Sequence, residues 1–136
     1  MKRRTIIVSI ILLAVVLAGA YAYKEYNRKP ADLAISKAAL FVNAKTLVSA
    51  YLANEEEANK KYLGKIIEVK GTVVSTGELN IILGDETSTN NVSCMLDSAR
   101  HATSVLPQPG TQVTVKGICT GFLLDVELNR GLIVNH

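Results

Sequence analysis

The stretch IIEVKGTV, residues 66–73, decides the fold. Its apolar residues and glycine alternate with Glu68 and Lys70, whereas the apolar residues before Gly64 recur at helical spacing. This change of period from 3.6 to 2 predicts a strand with one buried face. The segment TVKGIC, residues 114–119, repeats the pattern and predicts a second strand of the same kind.

The chain around these two segments divides into five predicted strands and one intervening helix. In order, they are strands at 67–73, 79–83 and 92–96, a short helix at 97–106 that Pro107 and Pro109 end, and strands at 113–119 and 124–134, the last with a bend at Gly131. Five short strands leave no open edge if they close into a barrel with the helix as a plug. We therefore predict a mainly β fold, an OB-fold barrel of order β-β-β-α-β-β.

Two glycines occupy equivalent positions in the related segments, Gly71 in the first predicted strand and Gly117 in the fourth. These strands are neighbours in an OB barrel. Glycine inside a strand usually marks a bulge or a sharp bend at a barrel corner. We expect both glycines to have structural roles.

An amphipathic helix, or a pair of short ones, is predicted before the barrel. Apolar residues recur at helical spacing from Asn43, a suitable N-cap, to Tyr62. The acidic residues 55–57 point in different directions around such a helix, so we interpret them as a solvated face rather than a ligand cluster. The OB-fold domain with this helix spans 43–136, and the polar segment 24–42 is the predicted linker.

The N-terminus predicts a single-pass membrane anchor over residues 1–23. A basic tip precedes the uncharged residues 5–23, which are long enough to span a bilayer of roughly 30 Å. The positive-inside rule keeps the tip in the cytoplasm, which places the rest of the chain in the periplasm or outside the cell. A cleaved signal peptide is the alternative, because 18–20 and 20–22 match the A-x-A pattern. Three tyrosines at the end of the apolar run favour a retained anchor in a bacterial cytoplasmic membrane.

The net charge of +3 belongs to the anchor rather than to the domain. Of the 15 basic residues, Lys2, Arg3 and Arg4 precede the apolar run, which leaves 12 basic against 12 acidic residues. Residues 65–136 carry five basic and seven acidic side chains. The basic isoelectric point therefore does not indicate a nucleic-acid partner.

From about Thr46 to Val134 the chain resembles the tRNA_anti-like family of small bacterial OB-fold domains. The matching residues are Tyr51 with Asn54 and Glu55, KYLGK at 61–65, EVKG at 68–71, VSC at 92–94, Pro109-Gly110, VKG at 115–117, CTGF at 119–122 and DVEL at 125–128. The resemblance implies an OB-fold and a proposed role in nucleic-acid binding. Some relatives carry a further cysteine where this chain has residues 129–131, and no bridge can form from that position here.

Cys94 and Cys119 both fall on inward faces of predicted strands. In an extracytoplasmic compartment they form either a disulfide or two buried thiols, and the sequence leaves both alternatives open. Two isolated cysteines without a nearby histidine pair do not predict a metal site. His101 and His136 have no partner for acid–base or nucleophilic chemistry, and we expect both to be exposed. The sequence therefore predicts no catalytic residues, no metal and no cofactor.

Nucleic-acid binding needs aromatic platforms and a basic groove on the barrel. The outward positions of the second and third predicted strands carry no aromatic residue. If an oligonucleotide binds, the candidate residues are Lys70, Lys116, Arg130 and Phe122.

These observations predict a non-enzymatic, membrane-anchored OB-fold binding module. Its expected ligand is a protein or an envelope polymer, because the barrel is acidic and poor in aromatic residues. The first alternative is an oligonucleotide-binding protein. The second is a structural subunit of an envelope complex, for which the predicted helix at 43–62 would be the docking face.

Overall fold

The computed structural model describes residues 2–29, 32–101 and 105–134. The chain forms two compact units, Met1–Ala31 and Asp32–His136. The first contains helix α1, Lys2–Tyr26, which is long and apolar enough to cross a membrane. A cleaved signal sequence satisfies the same criteria, so α1 agrees with both alternatives.

The second unit contains six strands and three helices in the described residues. They are β1 (Leu40–Asn43), α2 (Ala44–Ala53), α3 (Glu55–Tyr62), β2 (Ile66–Thr76), β3 (Asn80–Gly84), β4 (Val92–Leu96), α4 (Ser98–His101), β5 (Gln112–Phe122) and β6 (Val126–Val134). The five predicted strands correspond to β2 through β6. The sequence did not predict strand β1, which lies at the end of the segment predicted as linker, 24–42.

Strands β2 to β6 close into the predicted barrel. The sheet order is β1-β2-β3-β4-β6-β5, and an additional pairing of β2 with β5 completes the ring. Strand β2 is long enough to pair with β5 through Ile66–Thr72 and with β3 through Thr72–Thr76. Strand β1 adds outside the ring, parallel to the first half of β2. The architecture is that of an OB-fold preceded by a long apolar helix.

The barrel interior is filled by aliphatic side chains from the inward positions of every barrel strand. The largest fully buried side chains are Leu47, Ile67, Val69, Val73, Ile81, Leu83, Val92, Val115, Val126 and Leu128. Each barrel strand contributes residues at a spacing of two, as the alternation in the sequence predicts. Helix α2 contributes Leu47 and contacts β2, β3, β4 and β6, so it lies across one end of the barrel.

The predicted helix from Asn43 is the pair of short helices, α2 and α3. The break is at Asn54, whose side-chain oxygen accepts a hydrogen bond from the backbone N–H of Glu57 at 3.2 Å and so caps α3. Asn43 precedes α2 as expected but makes no side-chain capping bond. The helix predicted over 97–106 begins at Ser98; residues 102–104 lie outside the described residues.

The last strand is irregular close to the bend predicted at Gly131. Arg130 has a φ of 56°, and the pairing of β6 shifts register against both β4 and β5 in this region. A β-bulge of this kind tightens the local twist and allows the strand to close a small barrel. The predicted bend and the observed bulge therefore serve the same purpose.

Candidate functional site

An open groove lies between the start of α2 and the loop that joins β3 to β4. Its volume is about 620 Å³. It is lined by Asn43, Ala44, Lys45, Val48, Ser49, Leu52, Lys70, Gly71, Thr72, Gly84, Asp85, Thr87, Ser88, Asn90, Asn91 and Gln112. We refer to this cavity, with these residues, as the groove.

The groove exists because β1 and β3 share one edge of β2 without meeting. Strand β1 ends where Asn43 pairs with Lys70, and β3 ends where Gly84 pairs with Thr72. Gly71 lies between these two pairs. The ends of the two strands diverge there, β1 into α2 and β3 into the loop 85–91, and the space between them is the groove.

Gly71 sets how closely α2 approaches the barrel. A Cβ built at this position would lie 2.9 Å from the Cβ of Ala44, closer than real Cβ atoms pack. At Gly117 a Cβ would lie 3.2 Å from the backbone oxygen of Asn129 in the neighbouring strand. At both positions the backbone therefore lies in close contact with a neighbouring element.

The loop wall of the groove is held by its own hydrogen bonds. The Asp85 carboxylate accepts from the backbone N–H of Thr87 at 3.0 Å and from its hydroxyl at 2.8 Å. The Asn91 side-chain oxygen accepts from the backbone N–H of Asp85 at 3.1 Å and fills the space that the missing Cβ of Gly84 leaves. The hydrogen bonds from Thr87, with a smaller contribution from the charge of Lys45, lower the pKa of Asp85.

The chemistry of the groove is polar and slightly basic. Two lysines, Lys45 and Lys70, and one carboxylate, Asp85, are its charged residues, and amides and hydroxyls make up most of the remainder. None of its lining residues, all within the described part of the chain, is aromatic. The groove can offer many hydrogen bonds and a modest positive charge, but it cannot stack a base.

Only one of the four candidate ligand residues lines the groove. Lys70 lies on its floor. The ammonium of Lys116 lies 3.9 Å from the Glu68 carboxylate, and the two side chains are only 10% and 7% exposed. These residues are direct neighbours across β2 and β5. Lys116 is therefore engaged in a buried ion pair rather than presented to a ligand.

Phe122 and Arg130 also lie outside the groove. Phe122 stacks on Tyr51 with ring centroids 5.5 Å apart, and Tyr51 in turn lies 6.2 Å from Tyr62. This aromatic cluster packs α2 and α3 against the end of β5. Arg130 lies at the bulge of β6. Of the four predicted residues, the groove therefore contains Lys70 alone.

The two cysteines are free, buried thiols in the structure. Cys94 and Cys119 both pair with Leu128, one from β4 and the other from β5, so β6 separates them. Two strand spacings amount to roughly 9.5 Å, beyond the Cα separation of about 7 Å that a disulfide tolerates. Burial raises the pKa of the Cys94 thiol, and Cys119 lies 3.3 Å from the hydroxyl of Tyr51. This separation favours two buried thiols, and the oxidation state of the pair stays a prediction.

Histidine exposure differs from the expectation. His101 is half-buried, and its two ring nitrogens are buried without a hydrogen-bond partner among the described residues. The end of α4 therefore packs more closely on the domain than a solvated helix would. His136 lies outside the described residues. Within the described part of the chain, no three potential metal ligands lie close enough to hold an ion.

Sequence reasoning missed most of the groove. Lys45 follows β1, a strand that the sequence did not predict, and the loop 85–91 is, in the sequence, only the connection between the second and third predicted strands. Nothing in the sequence indicates that the asparagines of this loop belong to a binding site. What brings them to Lys45 is the pairing of β1 and β3 with the same strand, which only the fold reveals.

Comparison with known proteins points to one family. The model of the family described as tRNA_anti-like matches residues 1–132. No curated protein matches the chain.

The chain is also similar to solved structures. A protein from Klebsiella pneumoniae subsp. pneumoniae, described as a "putative nucleic acid-binding lipoprotein", is similar with a TM-score of 0.57 at 18% identity, over 79% of this chain and 100% of that one. The Stn1-Ten1 complex of S. pombe has a TM-score of 0.45 at 19% identity, over 76% of this chain and 81% of that one. Replication protein A of U. maydis, bound to ssDNA, has a TM-score of 0.41 at 16% identity, over 74% and 77%. At 18% identity, the similarity to the K. pneumoniae protein shows the fold alone.

Proposed function

Because the chain belongs to the tRNA_anti-like family, we propose that it is a non-enzymatic OB-fold binding module whose helix α1 anchors it in a bacterial cytoplasmic membrane. The barrel domain faces the periplasm or the cell exterior. Its ligand occupies the groove and is a polar segment of a protein or an envelope polymer.

The observation that carries this proposal is the composition of the groove. Amides and hydroxyls line it densely, and Lys45 and Lys70 add positive charge against the single carboxylate of Asp85. Such a surface recognises a polar or anionic chain through hydrogen bonds and charge. A single-stranded nucleic acid would also need aromatic platforms, which contribute roughly 1 to 3 kcal/mol per base.

Oligonucleotide binding is the second candidate. The description of the K. pneumoniae protein as nucleic acid-binding favours it, as does the family resemblance. Lys70 remains available for a phosphate, but the aromatic ring of Phe122 packs on Tyr51 instead of extending into the groove. The second candidate therefore lacks stacking at the groove and would depend on charge.

The test is binding of the full chain, purified in detergent micelles, to three probes: single-stranded DNA, tRNA and solubilised peptidoglycan fragments. We expect the peptidoglycan fragments to bind and the nucleic acids to show no binding at physiological salt. Nucleic-acid binding that weakens steeply as salt rises would contradict the preferred ligand class and support the second candidate. If none of the three probes binds, an envelope polymer is excluded as the ligand, and a protein segment is the remaining candidate.

A variant that fills the groove locates the binding site. Ser49 lines the groove from α2, so Ser49→Trp should weaken binding of any groove ligand by about tenfold or more. Thr46 is exposed on the same helix but does not line the groove, so Thr46→Trp is the matched control. Equal affinities of the two variants for a bound probe would place its site elsewhere.

A further inference from the structure

The two ends of the groove differ in chemistry. Four of its lining residues lie on one face of α2, at helical spacings of three and four: Lys45, Val48, Ser49 and Leu52. Lys45 is in the first turn of α2, and Leu52 follows seven residues later, roughly 10 Å farther along the helix axis. The wall that α2 forms therefore changes from basic to apolar along its length.

The basic end lies where β1 passes into α2. Asn43, the last residue of β1, pairs with Lys70 of β2, so Lys70 lies close to the start of α2 and to Lys45. Both lysines are exposed. The carboxylate of Asp85 interacts with the charge of Lys45, but it already accepts two hydrogen bonds from Thr87. Two ammonium groups against one carboxylate leave this end with a net positive charge.

The other end of the groove is apolar, and two further leucines lie next to it. Leu52, which lines the groove, is 58% exposed. The turn between β5 and β6 carries Leu123 and Leu124, each 78% exposed. The side-chain amide of Asn90, another groove residue, donates to the carbonyl of Leu124. This contact brings the turn to the wall of the groove.

Hydrogen bonds and an aromatic pair hold the turn in place. The backbone N–H of Asn91 donates to the Asp125 carboxylate at 2.7 Å, and the N–H of Leu123 donates to the carbonyl of Asp125 at 3.2 Å. Tyr51, which precedes Leu52, stacks on Phe122, which precedes Leu123, with ring centroids 5.5 Å apart. The exposed leucines therefore lie at one end of the groove on a fixed backbone, which lowers the entropy that binding would cost.

The separation of the two ends indicates the dimensions of a ligand. An extended peptide advances roughly 3.3 Å per residue, so three or four residues span the distance from Lys45 to Leu52. A carboxylate at the basic end and a leucine-sized side chain three or four positions away would each meet a complementary surface. The backbone between them would supply donors and acceptors for the amides and hydroxyls of the groove.

Other ligand classes match fewer of these features. A single-stranded nucleic acid offers phosphates to the lysines, but the groove has no aromatic lining residue on which its bases could stack. Peptidoglycan fragments carry carboxylates but no large apolar side chain, so they would leave the leucines uncovered. A lipid surface would cover the leucines, but the Asp125 carboxylate beside them would then enter an apolar medium, which is costly.

We propose that the groove binds an extended segment of a partner protein in which an acidic residue and a large apolar residue lie three or four positions apart. The acidic side chain binds Lys45 and Lys70, and the apolar side chain packs on Leu52 and the turn at Leu123 and Leu124. This inference rests on the proposed function, because it takes the groove as the binding site, and it names the ligand. Peptidoglycan fragments bind through the basic end alone and therefore more weakly.

The first experiment measures the affinity of labelled peptides by fluorescence anisotropy. The full chain is held in lipid nanodiscs, because detergent would compete for the exposed leucines. The probe is a nonapeptide with blocked ends, glutamate at its centre, a leucine four positions away on each side, and serine elsewhere. We expect it to bind about tenfold more tightly than the peptide with serine for both leucines, and about threefold more tightly than the peptide with glutamine for glutamate. A peptide with both leucines next to the glutamate should also bind about tenfold more weakly.

Variants at the two ends of the groove assign each contact. Lys70→Gln should weaken binding of the probe about threefold and leave the glutamine peptide unaffected. Leu52→Ser should weaken binding of the probe about fivefold and leave the serine peptide unaffected. Both residues are exposed, so the fold should be retained. Lys37→Gln and Ile35→Ser are the matched controls, because these residues are exposed but do not line the groove, and both should bind the probe as the natural chain does.

Several results would overturn this inference and leave the proposed function intact. They are equal affinities for all four peptides, an affinity for peptidoglycan fragments as high as that for the probe, or a Leu52→Ser variant that weakens every peptide equally. Displacement of the probe by single-stranded DNA would identify a nucleic acid as the ligand, displacement by lipid vesicles a lipid surface, and displacement by unlabelled protein a second copy. If Ser49→Trp and Thr46→Trp bind the probe and the peptidoglycan fragments equally well, the groove is not the site, and the proposed function fails as well.

Discussion

Gly71→Ala tests whether α2 is fixed to the barrel by a contact that only glycine allows. The new Cβ would lie 2.9 Å from the Cβ of Ala44 and 3.1 Å from the Cβ of Leu83. Both atoms are attached directly to backbone, so no side-chain rotation relieves the overlap, and carbon atoms pack at about 3.5 to 4.0 Å. Overpacking of this kind costs about 1 to 3 kcal/mol, and removing a strand glycine recovers about 0.5 to 1 kcal/mol. We expect a net loss of about 1 to 2 kcal/mol.

Thermal and urea unfolding measure this loss. For a domain of this size, it corresponds to a decrease in Tm of about 5 to 10 °C. Gly77→Ala is the matched control: its nearest neighbours would be 3.7 and 3.8 Å away, so its stability should change by less than about 0.5 kcal/mol. We compare the effect of Ala44→Gly on stability in two backgrounds, the natural chain and Gly71→Ala. Its effect should be more favourable in the Gly71→Ala background, because there it removes the overlapping Cβ. An unchanged Tm for Gly71→Ala, or the absence of this coupling, would refute the reasoning.

Three further predictions concern the thiols, the buried ion pair and the loop. Cys94 and Cys119 should resist iodoacetamide in the folded protein and react fully in denaturant. A measured intact mass that is lower by two hydrogens would show a disulfide and contradict this prediction. Lys116→Met should lower stability by about 2 kcal/mol in urea unfolding because it removes the cation opposite the buried Glu68 carboxylate, while Lys116→Met with Glu68→Leu should recover most of the loss. The depressed pKa of Asp85 means that its stabilising effect is complete above its ordinary value of 3.8 and is lost as pH falls through the lower folded-state pKa. The protection factors of the amides in the loop 85–91, which correct for the slower intrinsic exchange in acid, should therefore decrease there.

The barrel was predictable because its strands are each buried on one face. Alternation in a sequence reports burial, and Val69 and Val115 are indeed fully buried partners across β2 and β5. Strand β1 has only four residues, LFVN, too few to show a period. Its strand conformation depends on pairing with β2, which lies more than twenty residues away in sequence, so no local signal predicts it.

Alternation predicts which face of a strand Lys116 lies on, but not whether its side chain is exposed. The pattern correctly places Glu68 and Lys116 on the outer side of their strands, and a charged residue on that side is normally solvated. Their exposure depends on what covers the outer face and on the register between β2 and β5. That register brings them directly opposite each other, so burial leads to an ion pair instead of a surface charge.

The distribution of aromatic residues favours a ligand that is recognised by hydrogen bonds and charge. Tyr51, Tyr62 and Phe122 form one cluster where α2 and α3 meet the end of β5. Tyr51 is only 2% exposed, and this burial raises the pKa of its hydroxyl. Their rings therefore pack the two helices against the end of the barrel. The groove retains Lys45 and Lys70 in contact with water, where salt at about 0.1 M screens charge beyond roughly 10 Å. An anionic ligand bound there must lose affinity as salt rises, whereas a neutral polymer held by the amides should not.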